Sequence, residues 1–172
     1  MSVLSIEIKA RSEHHQKIRD YLLAHGARQV GLDHQIDTYF NVPHGRLKLR
    51  EGNIENNLIH YIRNNQKGPK RSAVHLYPST PDSTLKDTLS AALGIKVVVD
   101  KQREIYFIDN AKFHLDTVRG LGTFVEIEAL DENNQRTAEE LEQQCRSYME
   151  AFDIDASQLV SMSYSDLLAN RK

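Results

Sequence analysis

Apolar and polar residues alternate with a period of two through most of this chain. The pattern is seen in "SIEIKA", "QIDTYFNV", "GRLKLRE", "LIHYIR", "SAVHLYP", "VVVDKQREIYFID", "AKFHLDTV" and "TFVEIEAL", each bounded by Gly, Pro, Asn or Asp. Side chains on a pleated strand point to opposite faces in turn, so this repeat predicts about eight strands. Gly120 and Gly122 in "VRGLGTF", and Asp109 and Asn110 in "FIDNAKF", mark tight hairpins. Connections this short imply antiparallel pairing. Elsewhere the period becomes helical. A helix over Ser12–Gly26 would put Ile18, Tyr21, Leu22 and His25 on one face, with Ser12 as N-cap and Gly26 as the stop. A second, in "PDSTLKDTLSAALG", carries the stripe Leu85, Leu89, Ala92 and Leu93 and ends at Gly94. A third opens with the capping-box pair Thr137 and Glu140 and carries Leu141, Cys145, Tyr148, Met149 and Phe152 on one face. A short closing helix is expected at "SYSDLLA".

Separating the two faces of each strand exposes the main feature. Ser5, Glu7 and Lys9 share a face opposite Ile6 and Ile8, and Arg46, Lys48 and Arg50 share one opposite Leu47 and Leu49. Lys101 aligns with Arg103, Lys112 with His114 and Asp116, and Glu126 with Glu128. Asp37 and Tyr39 also share a face, and can be read as tunnel lining or as ordinary strand residues. A wet sheet face would account for any one strand. It accounts poorly for the set, because the bases gather on "GRLKLRE" and "DKQRE" and the acids on "FVEIE", and like charges packed together repel. Curling the sheet, charged face inward and apolar face under the helices, explains the segregation and removes exposed edges. The expected fold class is therefore α+β, a closed antiparallel β-barrel of about eight strands with a charged interior tunnel and helices on the outside.

The charge types narrow the ligand. Arginine offers a planar fork matched to phosphate oxygens and lysine a compact point charge. Several bases converging in a confined space need anions to compensate them. Carboxylates are the hard ligands that Mg²⁺ or Mn²⁺ prefers, usually one or two of them together with substrate phosphates. A triphosphate with its metal satisfies both demands.

Bulk properties set the frame. With 172 residues, 40% hydrophobic and 27% charged, the chain is expected to form one domain, 1–172, of ordinary globular composition. A net charge of -2 gives no general drive toward nucleic acid or anionic membrane. Cys145 is the only cysteine, so no intrachain disulfide can form and a reducing setting is favoured. No apolar run reaches the length of a membrane span and no signal-peptide core opens the chain. The expectation is a cytoplasmic protein whose partner is a small-molecule triphosphate, not nucleic acid or membrane, with a homodimer left open.

"EIK", "DTYF", "LKLRE", "YIR" followed by "GPK", "DKQREIYF" and "HLDTVRGLGTFVEIEA" stand in an order that resembles the CYTH superfamily, the triphosphate tunnel metalloenzymes. With the terminal "SYSDLL" the likeness runs over nearly the whole chain and points to the class IV adenylyl cyclase branch. The resemblance implies a closed barrel that binds a triphosphate moiety with Mg²⁺ or Mn²⁺. Carried over, it makes Lys9, Lys48, Arg50, Arg63, Lys70, Lys101 and Arg103 phosphate-binding. It makes Glu7, Glu126 and Glu128 metal ligands and places Asp116 by metal and substrate, so that these four are the candidate catalytic acids. It implies cyclisation of ATP to cyclic AMP and pyrophosphate, with hydrolysis of tripolyphosphate or thiamine triphosphate as the alternative. One position departs from the family pattern: Ser5 stands where Glu-x-Glu-x-Lys would have its first acid. A hydroxyl is a poorer metal ligand than a carboxylate, which motivates a further alternative, a module that binds nucleotide or polyphosphate without turnover. Ser5, Arg46 and His114 complete the candidate lining.

Overall fold

The alternating segments become strands, and the strands close on themselves. The computed structural model describes residues 4–63 and 70–171. In chain order the elements are β1 (Leu4–Arg11), α1 (His15–Ala24), β2 (Arg28–Phe40), β3 (Arg46–Glu51), β4 (Asn56–Arg63), β5 (Lys70–Pro78), α2 (Leu85–Leu93), β6 (Ile95–Ile108), β7 (Ala111–Val118), β8 (Gly122–Asp131), α3 (Ala138–Ala151) and α4 (Tyr164–Ala169). The strands form one closed barrel in the order β1-β5-β4-β3-β2-β6-β7-β8, with antiparallel pairing throughout. The β1–β5 seam is narrow, paired at Ile6↔Arg71 and Glu7↔Lys70, whereas β2 and β6 run side by side from Arg28↔Phe107 to Phe40↔Ile95.

The faces sort as the alternation predicts. Ile6, Ile8 and Ala10 of β1, Phe113 and Leu115 of β7 and Val125 and Ile127 of β8 point outward into one core. Ile18 and Leu22 of α1 and Leu141, Cys145 and Phe152 of α3 complete it. The small side chains of Ala111 and Ala129, both fully buried, leave room for these helices to sit close to the sheet. Thr137 caps α3 through the reciprocal bonds with Glu140 that its spacing predicts.

Three local expectations change. Helix α1 begins at His15 with His14 at the N-cap position; Ser12 instead accepts the His14 N–H at 3.2 Å while its backbone pairs with Thr123. The strand thus extends beyond its alternating stretch and delays the helix. Strand β2 starts well before "QIDTYFNV", running through Gly31 with a register shift between Gln29 and Gly31 that interrupts the period of two. Helix α2 has no buried residue, so its apolar stripe only leans on the barrel wall and Ala92 is exposed.

Candidate functional site

Inside the barrel, side chains from β1, β2, β3, β6, β7 and β8 converge on a cavity of about 220 Å³. Strand β1 contributes Ser5, Glu7 and Lys9; β3 contributes Lys48 and Arg50; β6 contributes Lys101 and Arg103. Strand β7 contributes Lys112 and His114, β8 contributes Glu126 and Glu128, and Tyr39 of β2 reaches the wall. Each sits one alternation apart from its neighbour, so the pleat alone aims them inward.

The cations do not stand alone. Asp37, fully buried on β2, accepts Arg50 through both carboxylate oxygens at 2.9 Å, Lys101 at 2.7 Å and Lys48 at 3.4 Å. Burial would raise its pKa, but Arg50, Lys101 and Lys48 outweigh that and hold it well below the usual carboxylate range. Asp116 on β7 does the same for Arg103, with bonds of 2.8 and 2.7 Å, and accepts the Tyr164 hydroxyl at 2.7 Å. Both Asp116 oxygens are therefore engaged, and the residue sits behind Arg103 rather than on the cavity wall. Glu126 lies 3.5 Å from Lys9, 3.6 Å from Arg103 and 3.2 Å from His114 Nδ1. Burial again opposes its charge, and Lys9 and Arg103 overcome it.

Burial holds down the pKa of two basic groups on the wall. Burial first, then the neighbouring Arg103, Arg50 and Lys48, lower Lys101 to about 7 against the opposing pull of Asp37. His114 is lowered to about 4 by burial and then by Arg103, so its ring is neutral. With Nδ1–H donating to Glu126, its Nε2 carries a lone pair, and that atom is buried without a hydrogen-bond partner.

The acids Glu7 and Glu128 face each other across β1 and β8 in direct register. Burial first, then the facing Glu7, bring the Glu128 carboxyl up to about 7 against the opposing pull of Lys112. A divalent cation would relieve the repulsion that the facing Glu7 adds to Glu128. Among the described residues no three His, Cys, Asp or Glu side chains sit close enough to enclose a metal. Two facing carboxylates with other positions left to phosphate oxygens and water would suit Mg²⁺ or Mn²⁺.

Beside α4, aromatic rings pack against the cavity wall. Tyr164, at the start of α4, packs its ring on Phe124 with centroids 4.9 Å apart, and Lys9 Nζ lies 3.9 Å over that ring. Tyr39, Tyr61, Val99 and Val118 complete an aromatic and aliphatic cluster there. Arg46 belongs to this side: it pairs with Asp166 of α4 and lines a smaller pocket with Lys96 and Ser165. Of the other candidates, Arg63 and Lys70 have side chains outside the described residues. Glu55, Tyr61 and Ser163 also reach the cavity, and none of them was singled out by the alternation. Tyr61 shares the inward parity of β4, but Glu55 and Ser163 lie off the strands, where the period of two carries no information. Lys112 stands on the charged face of β7, and its alternation alone does not distinguish it from a solvent-facing lysine.

A closed antiparallel barrel with a cation-lined bore and a carboxylate pair in its wall defines a tunnel protein built for a compact polyanion. Residues 4–157 match the CYTH domain family, and the chain belongs to that family of triphosphate-processing tunnel enzymes. A search of curated protein sequences finds no match. Among solved structures the chain is similar to the PH1012 protein from Pyrococcus horikoshii OT3, at TM-score 0.77 and 22% identity over 95% of this chain and 98% of that one. It is similar to a candidate adenylate cyclase from Vibrio parahaemolyticus, at TM-score 0.76 and 16% identity over 98% and 99%. It is also similar to HpAC1 from Hippeastrum, a candidate adenylyl cyclase described with a dominant triphosphatase activity, at TM-score 0.61 and 14% identity over 98% and 95%. No helix among the described residues is long and apolar enough to cross a membrane.

Proposed function

We propose that the tunnel binds the triphosphate end of a small molecule and breaks one of its phosphoanhydride bonds with Mg²⁺ or Mn²⁺, and that the reaction is cyclisation of ATP to cyclic AMP and pyrophosphate. The observation that carries the first part is the convergence of Lys9, Lys48, Arg50, Lys101, Arg103 and Lys112 on one cavity inside the barrel. Arg50 and Arg103 would take phosphoryl oxygens in their forks, and the lysines would neutralise the rest of the chain. Arrival of an anion beside Lys101 would favour its charged form. Glu7 and Glu128 would hold the metal, which when bound supplies Lewis-acid charge to a phosphoryl oxygen. Glu126, already shared among Lys9, Arg103 and His114, would hold those groups in place as readily as it would ligate the metal. Asp116 would act by positioning Arg103. In the cyclase reading the ribose 3′-hydroxyl attacks the α-phosphorus in line and pyrophosphate leaves. Likeness to class IV cyclases along the whole chain, and to the Vibrio parahaemolyticus candidate adenylate cyclase at TM-score 0.76, supports it.

Hydrolysis of tripolyphosphate or thiamine triphosphate is the second reading. A cavity of about 220 Å³ lies below the roughly 300–1,000 Å³ that a drug-sized ligand occupies, so it suits a phosphate chain better than a whole nucleotide. The triphosphatase activity of HpAC1 points the same way. A third reading, binding without turnover, is motivated by Ser5. One assay separates them: incubation with ATP, tripolyphosphate or thiamine triphosphate and Mg²⁺ or Mn²⁺, with products resolved by chromatography. Cyclic AMP and pyrophosphate support cyclisation, orthophosphate supports hydrolysis, and binding without product supports the third. No binding of any triphosphate refutes the proposal. The reducing cytoplasm is the setting in which both the substrate and the free Cys145 would be expected.

A further inference from the structure

The tunnel contains an acid that the strands did not supply. Glu55 lies on the connection between β3 and β4, and that connection is built to hold it. The N–H groups of Ile54 and Glu55 donate to the carboxylate of Asp33 at 2.9 and 3.0 Å, and Asp33 is fully buried. Gly52 and Asn56 exchange two hydrogen bonds, of 3.1 and 3.0 Å. Gly52 is close to Asp33 in a way no other residue could match: a Cβ there would lie 2.6 Å from Asp33 Oδ1. A loop pinned at this many points presents its side chain in a fixed place.

What it presents is a carboxylate among phosphate-binding groups. Glu55 Oε2 accepts Lys112 Nζ of β7 at 2.8 Å. Its Oε1 accepts Arg50 of β3 at 3.3 Å and the amide of Gln35 at 3.0 Å. Gln35 is itself fully buried and donates also to Asp33. Burial opposes the charge on Glu55, yet Lys112 and Arg50 keep it well below the usual carboxylate range. Unlike Asp37 and Asp116, which are fully buried behind the cations they hold, Glu55 is part of the cavity wall. It therefore sits where a phosphoryl group bridging Arg50 and Lys112 would sit.

We propose that Glu55 is an internal stop for the phosphate chain, a specificity-determining residue that fills the last anion position between Arg50 and Lys112 and so limits the length of polyphosphate the tunnel accepts. This rests on the reading of the tunnel as a triphosphate site. A longer chain would push its terminal phosphoryl against a fixed carboxylate, and like charges brought together at a binding surface cost several kcal/mol. Neutralising Glu55 opens the position.

Calorimetric titration with tripolyphosphate and with linear tetrapolyphosphate, in metal-free buffer so that nothing turns over, tests this on the wild type, Glu55→Gln and Glu55→Asp. In Glu55→Gln tetrapolyphosphate binds more tightly than to the wild type, and its affinity relative to tripolyphosphate rises about tenfold or more, as removal of such a repulsion requires. Glu55→Asp, which keeps the charge, stays near the wild-type ratio. A role confined to holding Arg50 and Lys112 in place would instead weaken both ligands in parallel; that result, or an unchanged ratio in Glu55→Gln, overturns the proposal while leaving the triphosphate site intact. If neither protein binds either chain, in the same titration with Mg²⁺ added as well as without it, the triphosphate reading itself fails and the stop fails with it.

Discussion

Glu128→Gln should make the metal-free protein more stable, and only at neutral and alkaline pH. Burial, with Glu7 across the β1–β8 ladder, lifts the Glu128 carboxyl from 4.5 to about 7. A raised carboxyl keeps its proton in the folded state over a range where the unfolded chain has lost it. Between pH 4.5 and about 7 the native state therefore binds more protons, and stability falls as pH rises through that window. Above it the loss is complete. The interval of about 2.5 pH units at 1.36 kcal/mol each corresponds to about 3 kcal/mol. Glutamine keeps the shape and stays neutral at every pH.

Urea unfolding in the presence of EDTA at a series of pH values measures this directly. The variant and the wild type should match near pH 4, and the variant should lead by about 3 kcal/mol at pH 8, which in a chain of this length is roughly 6–12 °C in Tm. Excess Mg²⁺ should restore much of the wild type's deficit at pH 8 and leave the glutamine variant unmoved. A stability difference that stays constant from pH 5 to pH 8 would refute the account of Glu128 as a carboxyl strained by burial and by Glu7. Equal stabilisation of both proteins by Mg²⁺ would refute its place in the metal site.

Asp37→Asn removes the carboxylate shared by Arg50, Lys101 and Lys48, and breaking a buried ion pair in this way should cost about 3–5 kcal/mol in urea unfolding. Tyr164→Phe keeps the ring on Phe124 but deletes the hydroxyl that donates to Asp116; the expected cost is about 1–3 kcal/mol by the same measurement. Ser5→Glu adds a carboxylate one alternation from Glu7 on the cavity wall, and calorimetry should show tighter Mg²⁺ or Mn²⁺ binding. Unchanged metal affinity would count against Ser5 as a site position.

Much of this architecture is legible in the chain because a pleated strand converts sequence parity into direction. Within each strand Lys9 differs in parity from Ile8, Lys48 from Leu49 and Glu126 from Ile127, and that single fact puts the first of each pair on the bore side and the second on the opposite face. Parity fails where the backbone stops alternating. The register shift at Gln29 and Gly31 hides the first half of β2. Glu55 sits in "EGNIENN", which reads as solvated turn because its partner Lys112 is 57 residues away. Parity is also silent about partners: Asp116 and His114 share a face, but nothing local says that Asp116 holds Arg103 or that Glu126 holds His114 Nδ1. Helix α2 shows the opposite error, a periodic stripe with no groove to fill, since the adjoining outer face of the barrel offers no second helix to pack between.

The placement of the carboxylates explains how an empty tunnel of this charge can fold. Among the described residues, Lys9, Lys48, Arg50, Lys101, Arg103 and Lys112 line the cavity with Glu7, Glu55, Glu126 and Glu128, and Asp37 and Asp116 lie buried beside them. Among these described side chains six cations thus meet six carboxylates, so most of their charge is balanced before any ligand enters. The two kinds of acid act differently on a ligand. Asp37 and Asp116 bind their cations from behind, so they fix the forks of Arg50 and Arg103 without occupying the bore. Glu55 and Glu126 face it and must be outcompeted or bypassed by an incoming phosphate. With so many of these cations already paired, a divalent cation on Glu7 and Glu128 would add to the attraction for a polyanion. Metal and phosphate chain should therefore bind cooperatively, each raising the affinity for the other by the same factor.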